Sequence, residues 1–398
     1  MASYQYRAID DDSKIVKGVL DASDEDELEQ RLLVKGLVLL EATKGTFVLH
    51  RKPKLSEKDL IDFTYLLNLI LSSGVPIMSG LHDMANQSAN KRMATAASFL
   101  QSKLESGKSI SDSMRDYPEL FPPFYASMVG AGEVAGNLEQ VLNDIMKYLE
   151  WQMKLKKDIR AALAYPVIVL TAVVCLIAIL FIFVMPKFIK ILTDLKVSLP
   201  LPTKILVVTV SLVQNYWPLI LLCMLLIPVI FRIVYHTPSG RRMIDLSILK
   251  IPLIGQLVKK INHSRYFRTF ATLFRSGLNM NEILRVSSDV VQNTAVAESF
   301  RNAADAVLAG EQFSKALRDT GDFGSLLINM VEIGEKTGTL DNAILRVSDT
   351  YDREIPETMK KVFTVVEPLM LALLGGLVLL TLASFFLALY KIVGGIRR

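Results

Sequence analysis

The chain has few of the residues that hold a fold together covalently or through a metal. Only two cysteines occur among its 398 residues, Cys175 and Cys223, and both lie inside long apolar runs. This placement excludes a disulfide framework, and the spacing of zinc ligands is missing from the sequence. Both cysteines are therefore predicted to be small apolar side chains of membrane helices.

Motifs of catalysis are also missing. The four histidines fall in unrelated contexts, and the sequence contains no nucleophile elbow, zinc-protease helix or dinucleotide-binding loop. Residues 106–109 read Ser-Gly-Lys-Ser, but a phosphate loop needs a glycine at position 102, where serine stands within a helical stretch. We therefore expect no catalytic residue, no cofactor and no metal, and we predict that the protein is not an enzyme.

Charge is missing from three long apolar stretches, residues 161–186, 205–231 and 368–390, although 21% of the residues are charged. About 20 apolar residues cross a bilayer as a helix, so we predict transmembrane helices at 161–186, 215–235 and 366–390. In the second, Trp217 is expected to lie at the interface, with 205–213 as a helical approach. The net charge of +5 is modest and its cations cluster beside these runs. They are predicted to anchor the helices at membrane lipid and not to bind nucleic acid.

The N-terminal stretch is polar and shows no signal peptide. Together with lysine and arginine flanking the apolar runs, this predicts a multi-pass inner-membrane protein with its N-terminus and both large polar domains in the cytoplasm. The fold class expected is an all-α membrane protein with two repeated cytoplasmic helical bundles, three transmembrane helices and a small N-terminal α/β unit.

Alternating residues at 4–8 and 15–20, an acidic helix start near residue 24 and a further strand at 37–41 predict that α/β unit. The expected order is an α/β unit at 1–45, a linker at 46–56, a first cytoplasmic helical domain at 57–160, a transmembrane helix at 161–186, a periplasmic loop at 187–214, a second transmembrane helix at 215–235, a second cytoplasmic helical domain at 236–365, a third transmembrane helix at 366–390 and a short tail at 391–398.

One pattern occurs twice in the chain. Gly74 recurs as Gly277 after 203 residues, and Glu133 and Pro166 recur as Glu335 and Pro368 after 202 residues. The near-constant offset predicts a duplicated module, in which a polar helical domain is followed by a membrane anchor. The repeated residues that we take as interaction or structural motifs are Gly74, Gly132, Glu133, Gly136, Pro166, Gly277, Gly334, Glu335, Gly338 and Pro368.

The repeated Gly-Glu-x-x-Gly elements allow two interpretations. In the structural one, the glycines permit close helix approach or a left-handed turn, and Glu133 and Glu335 cap neighbouring amides. In the functional one, the elements form a binding surface, or the carboxylates help to hold calcium. We favour the structural interpretation. Glu367 stands beside Pro368, which we expect to start a helix, and is taken as an interfacial residue.

These residues resemble the type II secretion system F family, which includes inner-membrane platform proteins of type IV pilus and MSHA-type pilus machines. The resemblance covers essentially the whole chain and is strongest in four segments, Ser-Ser-Gly-Val-Pro at 72–76, Ala-Gly-Glu-Val-Ala-Gly-Asn-Leu at 131–138, Ala-Leu-Ala-Tyr-Pro at 162–166 and Met-Pro at 185–186. The second copy is looser, with Asn279 where Pro76 stood and Val-Glu-Pro at 366–368.

The resemblance implies a homo-oligomeric platform that hydrolyses nothing itself. Its cytoplasmic domains, as six-helix bundles, would bind a hexameric secretion or pilus ATPase. Its membrane part would receive pilin or pseudopilin subunits, beside other inner-membrane assembly proteins. The alternative is a membrane transporter or channel built from two parallel repeats, although no broken helix pair lines a midplane site. A membrane-bound enzyme would need catalytic groups that the sequence does not display.

Overall fold

The computed structural model describes residues 2–9, 15–22, 24–33, 36–44, 54–187, 190 and 201–395, and for parts of the apolar helices it describes the backbone alone. The chain divides into two compact units, residues 1–54 and residues 55–398. The first unit is the α/β unit expected from the sequence, and the second contains both helical repeats and the apolar helices.

The N-terminal unit is a three-stranded antiparallel sheet with one helix. Its elements are β1 (Ala2–Ile9), β2 (Ile15–Ala22), α1 (Glu25–Leu33) and β3 (Val38–Lys44), and β1 is the central strand. Asp24 Oδ1 accepts the amide of Glu27 at 2.8 Å, which satisfies a free donor at the start of α1. Leu28 and Leu32 of α1 pack with Tyr4 of β1 to form a small core.

The first repeat contains six helices in the described chain, α2 (Glu57–Ser72), α3 (Ile77–Gln87), α4 (Lys91–Glu105), α5 (Ile110–Arg115), α6 (Pro123–Ala135) and α7 (Leu138–Ile179). Helix α2 starts at a capping box, in which Ser56 Oγ accepts the amide of Asp59 at 3.1 Å and the Asp59 carboxylate accepts the amide of Ser56 at 3.0 Å. Residues Leu60, Phe63 and Leu67 place one buried face of α2 on the core.

The second repeat has the same order in its described residues, α10 (Ile254–Arg275), α11 (Met280–Asp289), α12 (Thr294–Leu308), α13 (Phe313–Asp319), α14 (Ser325–Thr337) and α15 (Leu340–Gly395). Two helices precede it, α8 (Leu201–His236) and α9 (Pro238–Lys250). Equivalent caps recur: Asn90 starts α4 and Asn293 starts α12, each accepting backbone amides of the following turn.

The two repeats share one hydrophobic core. Phe63, Phe121 and Tyr125 of the first repeat belong to the same buried cluster as Tyr266 and Phe270 of the second. A separate small cluster joins the long helices, where Leu155 of α7 packs on residues of α15. Residues 55–398 therefore form a single packed body, although the sequence repeats within it.

Each repeat ends in a helix that continues from the packed domain into an apolar segment. Pro166 lies inside α7 and Pro368 lies inside α15. Our expectation that Pro368 starts a helix is therefore wrong. A proline within a helix removes one backbone hydrogen bond, but an apolar segment that enters lipid must keep the remaining bonds, and this favours one continuous helix.

Among the described residues, two helices are long and apolar enough to cross a membrane, Leu138–Lys187 and Leu340–Ala383, and a shorter apolar helix covers Leu225–His236. Helix α8 contains the second predicted span and its helical approach. Its backbone leaves helical geometry at Tyr216, which follows the polar pair Gln214 and Asn215 and precedes Trp217. Of the predicted loop at 187–214, residues 188–189 and 191–200 lie outside the described part.

A buried histidine makes the stability of the second repeat depend on pH. His263 is 2% exposed, its Nδ1 lies 3.2 Å from the hydroxyl of Tyr351, and burial lowers its pKa to about 3. The unfolded chain, with a histidine pKa of about 6.5, binds the extra proton between these values. Stability is therefore complete above pH 6.5 and falls as the pH decreases toward 3.

We predict that His263→Leu reduces this pH dependence, because the equivalent residue of the first repeat is Leu60. Between pH 6.5 and 5 the wild-type chain should lose about 2 kcal/mol more unfolding free energy than the variant. Denaturant unfolding of the detergent-solubilised protein at both pH values measures the difference. The exposed His82→Leu serves as the control and should retain the wild-type slope. Equal slopes in all three proteins would contradict the prediction.

Candidate functional site: the Gly-Glu elements and the junction of the repeats

Glu133 is held at the N-terminus of a neighbouring helix. Its Oε1 accepts the amide of Ile110 at 2.6 Å and its Oε2 accepts the amide of Ser111 at 2.9 Å. The first amides of a helix have no partner within it and carry partial positive charge. The carboxylate of α6 therefore fixes the start of α5 with two charge-assisted hydrogen bonds.

Glu335 makes the same contacts in the second repeat. Its Oε1 accepts the amide of Phe313 at 2.7 Å, and its Oε2 accepts the amide and the hydroxyl of Ser314 at 3.2 and 2.7 Å. The two elements are thus equivalent in geometry as well as in sequence. Each ties the start of the fourth helix of a repeat, α5 or α13, to the fifth helix, α6 or α14.

The repeated glycines meet two backbone requirements. Gly136 and Gly338 end α6 and α14 with φ of 68° and 71°, which is left-handed geometry that favours glycine. A Cβ at Gly132 would lie 3.1 Å from Val141, and one at Gly334 would collide with the Cβ of Ala343. Both helices therefore pack closely on the last helix of their repeat, which fixes where each glutamate lies.

Gly74 and Gly277 have a similar position at the ends of α2 and α10. Their φ values are 68° and 80°, and the amide of Gly74 donates to the carbonyl of Leu71 while that of Gly277 donates to the carbonyl of Phe274. They end the first helix of each repeat and turn the chain into the second. Open space surrounds both Cβ positions, so left-handed backbone geometry accounts for glycine here.

The Ser-Gly-Lys-Ser stretch has a structural role. Ser109 caps α5 by accepting the amide of Asp112 at 3.0 Å, and the amides of Ile110 and Ser111, which follow Ser109, donate to Glu133. Lys108 Nζ lies 2.8 Å from Asp116 and lowers the pKa of that carboxyl. A phosphate would need these amides and this lysine, and both are already engaged.

The repeats meet at a polar junction between α7, α10 and α15. Trp151 Nε1 donates to Asp352 Oδ2 at 2.8 Å, and Arg268 Nη2 donates to the same oxygen at 2.7 Å and to Asp349 at 2.8 Å. The Arg268 guanidinium also lies 5.2 Å from the centroid of the Trp151 ring. One arginine therefore binds a ring from the first repeat and two carboxylates from the second.

The deeper part of the junction is buried. Tyr148 and Thr269 share a hydrogen bond of 3.0 Å between their hydroxyl oxygens, and burial raises the pKa of Tyr148. Arg265 is 6% exposed, and burial lowers its pKa. Glu57 acts on Arg265 through its charge and also pairs with Lys156. Within the described residues, Nε and Nη1 of Arg265 have no hydrogen-bond partner.

A cleft of about 230 Å³ opens beside this junction. Its lining comes from both repeats and carries charges of both signs, including Asp144, Lys147, Trp151, Arg268 and Arg275. No group of three or more histidine, cysteine, aspartate or glutamate side chains in the described chain could hold a metal ion. The arrangement offers hydrogen bonds and ion pairs between surfaces, and it places no nucleophile beside a base.

The prolines mark a second contact between the repeats. Tyr165 precedes Pro166 and donates its hydroxyl to Oε1 of Glu367, which precedes Pro368, at 3.2 Å. The two residues are equivalent in the repeats and lie side by side on parallel helices. The sequence analysis placed Glu367 at the membrane interface but did not predict its contact with Tyr165, the equivalent residue of the first repeat.

Comparison with known families accounts for the duplicated geometry. The sequence model of type II secretion system protein F matches the chain twice, at residues 63–186 and 266–388, and the N-terminal domain model of the same protein matches residues 1–43. The chain belongs to the type II secretion system protein F family. Both matches to the family model begin in the first helix of a repeat and end in or just beyond its apolar helix, so the family unit is the repeat itself.

Relatives in the family are similar over nearly their full length. A type IV pilus assembly protein PilC from Thermus thermophilus is 32% identical over 403 aligned residues, which cover 99% of each protein. One from Myxococcus xanthus is 27% identical over 96% of this chain and 93% of its own. A type II secretion system protein F from Vibrio cholerae is 29% identical and covers 95% of both.

We predict that Glu133→Ala and Glu335→Ala each lower the unfolding free energy by about 2 kcal/mol, because two helix amides lose a charged acceptor. Denaturant unfolding in detergent measures the change. Glu139→Ala, which alters an exposed glutamate on α7, should change stability by less than about 0.5 kcal/mol.

The same proteins test the calcium interpretation. If the carboxylates act only on amides, a calcium chelator leaves the melting temperature of the wild-type chain unchanged. A chelator-induced decrease that disappears in Glu133→Ala or Glu335→Ala would instead assign a cation to that carboxylate.

Proposed function

We propose that this chain is a polytopic inner-membrane assembly platform. It couples a cytoplasmic secretion ATPase to the assembly of pilin or pseudopilin subunits, in a type II secretion or a type IV pilus machine. The observation that carries the proposal is the similarity over nearly the full length to proteins named for both machines. The partners of the platform are the ATPase, the pilin-like subunits, other inner-membrane assembly proteins, membrane lipid and further copies of the chain.

The long helices supply a route for motion. Helix α7 has 42 residues and α15 has 56, so at about 1.5 Å per residue they extend about 63 and 84 Å. Each begins in a packed repeat and continues into an apolar segment. A displacement of the cytoplasmic body would reach the membrane without passing through a flexible loop, because the helix is continuous.

The junction makes the two repeats suitable for moving together. The shared core, the bonds from Trp151 and Arg268 to Asp352, and the Tyr165–Glu367 contact join the repeats at several heights along α7 and α15. A force applied to either repeat would therefore act on both apolar helices. This supports a passive coupling element, which needs no catalytic group of its own.

The apolar helices offer contact surface for a pilin helix. Gly375 and Gly376 lie within α15, and open space surrounds the position where each Cβ would stand. Small residues let another helix approach closely in lipid.

The test of the proposal is reconstitution with candidate partners. The detergent-solubilised chain should co-purify with a secretion or pilus ATPase encoded in the same genome and should be required for filament assembly. The variant Trp151→Ala with Asp352→Ala should still bind the ATPase but support less filament assembly, because the repeats are no longer joined at this point. Selective solute flux in proteoliposomes of the purified protein would favour the transporter instead.

Membrane orientation provides an independent prediction. With Cys175 and Cys223 replaced by alanine, Val134→Cys and Lys336→Cys place thiols at exposed, equivalent positions of the two repeats. We expect a membrane-impermeant maleimide to label both from the cytoplasmic face alone, since α7 and α15 run parallel from the two domains. Labelling of the two thiols from opposite faces would refute the proposed topology.

A further inference from the structure

The contact between the repeats uses a different surface of each. In the first repeat, the surface, here surface A, consists of Phe124 and Ser127 on α6 and Trp151 on α7. Phe124 is 4% exposed and Ser127 is buried. Helix α11 of the second repeat contacts α6, and Trp151 donates its hydrogen bond to Asp352. The second repeat therefore contacts both helices of surface A.

In the second repeat, the contacting surface, here surface B, consists of Arg265, Arg268 and Thr272 on α10. Arg265 is buried, with Glu57 and Tyr148 of the first repeat acting on its charge. Arg268 lies against Trp151, and Thr272 lines the cleft at the junction. The first repeat therefore covers surface B.

The equivalent of surface A in the second repeat is open. Surface A′ consists of Leu326 and Asn329 on α14 and Arg353 on α15, which are equivalent to Phe124, Ser127 and Trp151 at the 202-residue offset. All three are exposed, and Leu326 is 71% exposed. The neighbouring Ile333 is exposed as well, so surface A′ presents two large apolar side chains on one helix face.

The equivalent of surface B in the first repeat is open too. Surface B′ consists of Asp62, Tyr65 and Leu69 on α2, which are equivalent to Arg265, Arg268 and Thr272 at the 203-residue offset. Asp62 is exposed, and Tyr65 and Leu69 are 57% and 48% exposed. Val75 extends this apolar surface beyond the end of α2.

This asymmetry means that the repeats pack head to tail. In a two-fold arrangement, a contact of A with B would be accompanied by an equal contact of A′ with B′ in the same chain. Instead, the six residues of A and B are buried or half-buried, while their six equivalents in A′ and B′ are all exposed. The same contact can therefore be formed again, with A′ of one copy and B′ of another.

We propose that surface A′ of one copy binds surface B′ of a second copy, in the arrangement that joins A to B within the chain. The proposal rests on the homo-oligomer included in the proposed function, and it specifies the surfaces. Since α7 and α15 run parallel, a second copy placed by the same relation keeps its apolar helices in the same direction and therefore in the same membrane.

Charge complementarity favours this occupant. In the chain, the negative charge of Glu57 favours the charged form of the buried Arg265 and so raises its pKa against the effect of burial. Their equivalents are the anion Asp62 and the cation Lys260, so both signs are reversed and the two positions still carry opposite charge; Lys260 also pairs with Glu354 of its own chain at 2.8 Å. Hydrogen bonding supports the equivalence of Glu57 and Lys260. Glu57 pairs with Lys156, and Lys260 donates to Thr358, which is the equivalent of Lys156.

The ring contact is retained in the same manner. Within the chain, Arg268 of surface B lies over the ring of Trp151 of surface A. At the equivalent positions, surface B′ supplies the ring of Tyr65 and surface A′ supplies the guanidinium of Arg353. A cation and an aromatic ring therefore meet again, with their sides exchanged.

The test uses one variant on each surface of the full-length, detergent-solubilised protein. Leu69→Glu disrupts B′ and Leu326→Glu disrupts A′. Each alone should weaken self-association by about a hundredfold or more, because an unpaired glutamate would be buried in the contact. Mass measurement by light scattering reports the association, and the exposed Leu308→Glu on α12 is the matched control.

Mixing the two variants distinguishes a head-to-tail contact from a symmetric one. Leu69→Glu keeps an intact A′ and Leu326→Glu keeps an intact B′, so a mixture should form a heterodimer that grows no further. Failure of the mixture to associate, or wild-type association of either variant alone, would overturn the proposal. If the variants kept the wild-type oligomer mass but no longer bound the ATPase, the surfaces would bind the ATPase and not a second copy. That result would also overturn the proposal.

Cross-linking checks the contact without relying on disruption. In a chain with Cys175→Ala and Cys223→Ala, the pair Tyr65→Cys and Arg353→Cys should cross-link between copies in membranes through a short bifunctional maleimide. Lys91→Cys with Asp305→Cys, exposed on α4 and α12, should not. These measurements need neither ATPase nor pilin. Their outcome is therefore independent of the reconstitution that tests the platform function.

Discussion

The whole structure depends on two long helices, each of which continues from a polar, packed part into an apolar part long enough to cross a membrane. The polar part of α7 and of α15 packs in a helical repeat, and the apolar part must satisfy every backbone group internally. This requirement explains why Pro166 and Pro368 lie within helices instead of starting them. It also means that one continuous helix, α7 or α15, joins each repeat to its apolar segment, and the remaining helices of the repeat pack on that helix.

The duplicated glutamates stabilise the end of each bundle that packs on α7 or α15. Glu133 and Glu335 hold the amides that start α5 and α13, while Gly132 and Gly334 bring the glutamate-bearing helices close to α7 and α15. The geometry gives the motif a structural explanation at both sites. Both glutamates lie within the two stretches that match the family model, at residues 63–186 and 266–388.

Much of the architecture follows from local patterns. The constant offset predicted the duplication, the apolar runs predicted the long helices, and alternation predicted the strands of the N-terminal unit; the family and the fold class are confirmed. The site was only partly predictable. A left-handed turn was one of the two roles expected for the repeated glycines. The contacts of Trp151 and Arg268 with Asp352 join residues far apart in the chain, and no local pattern encodes them.

The sequence by itself determined the repeat, the helices and the apolar segments, because periodicity, turn residues and hydrophobic length act over short distances along the chain. Tertiary structure alone decided that the repeats share a core and that they pack through unlike surfaces. Two copies of one module can be joined symmetrically or head to tail with the same local structure. Side-chain packing selects between them, since Phe124 is buried and its equivalent Leu326 is exposed.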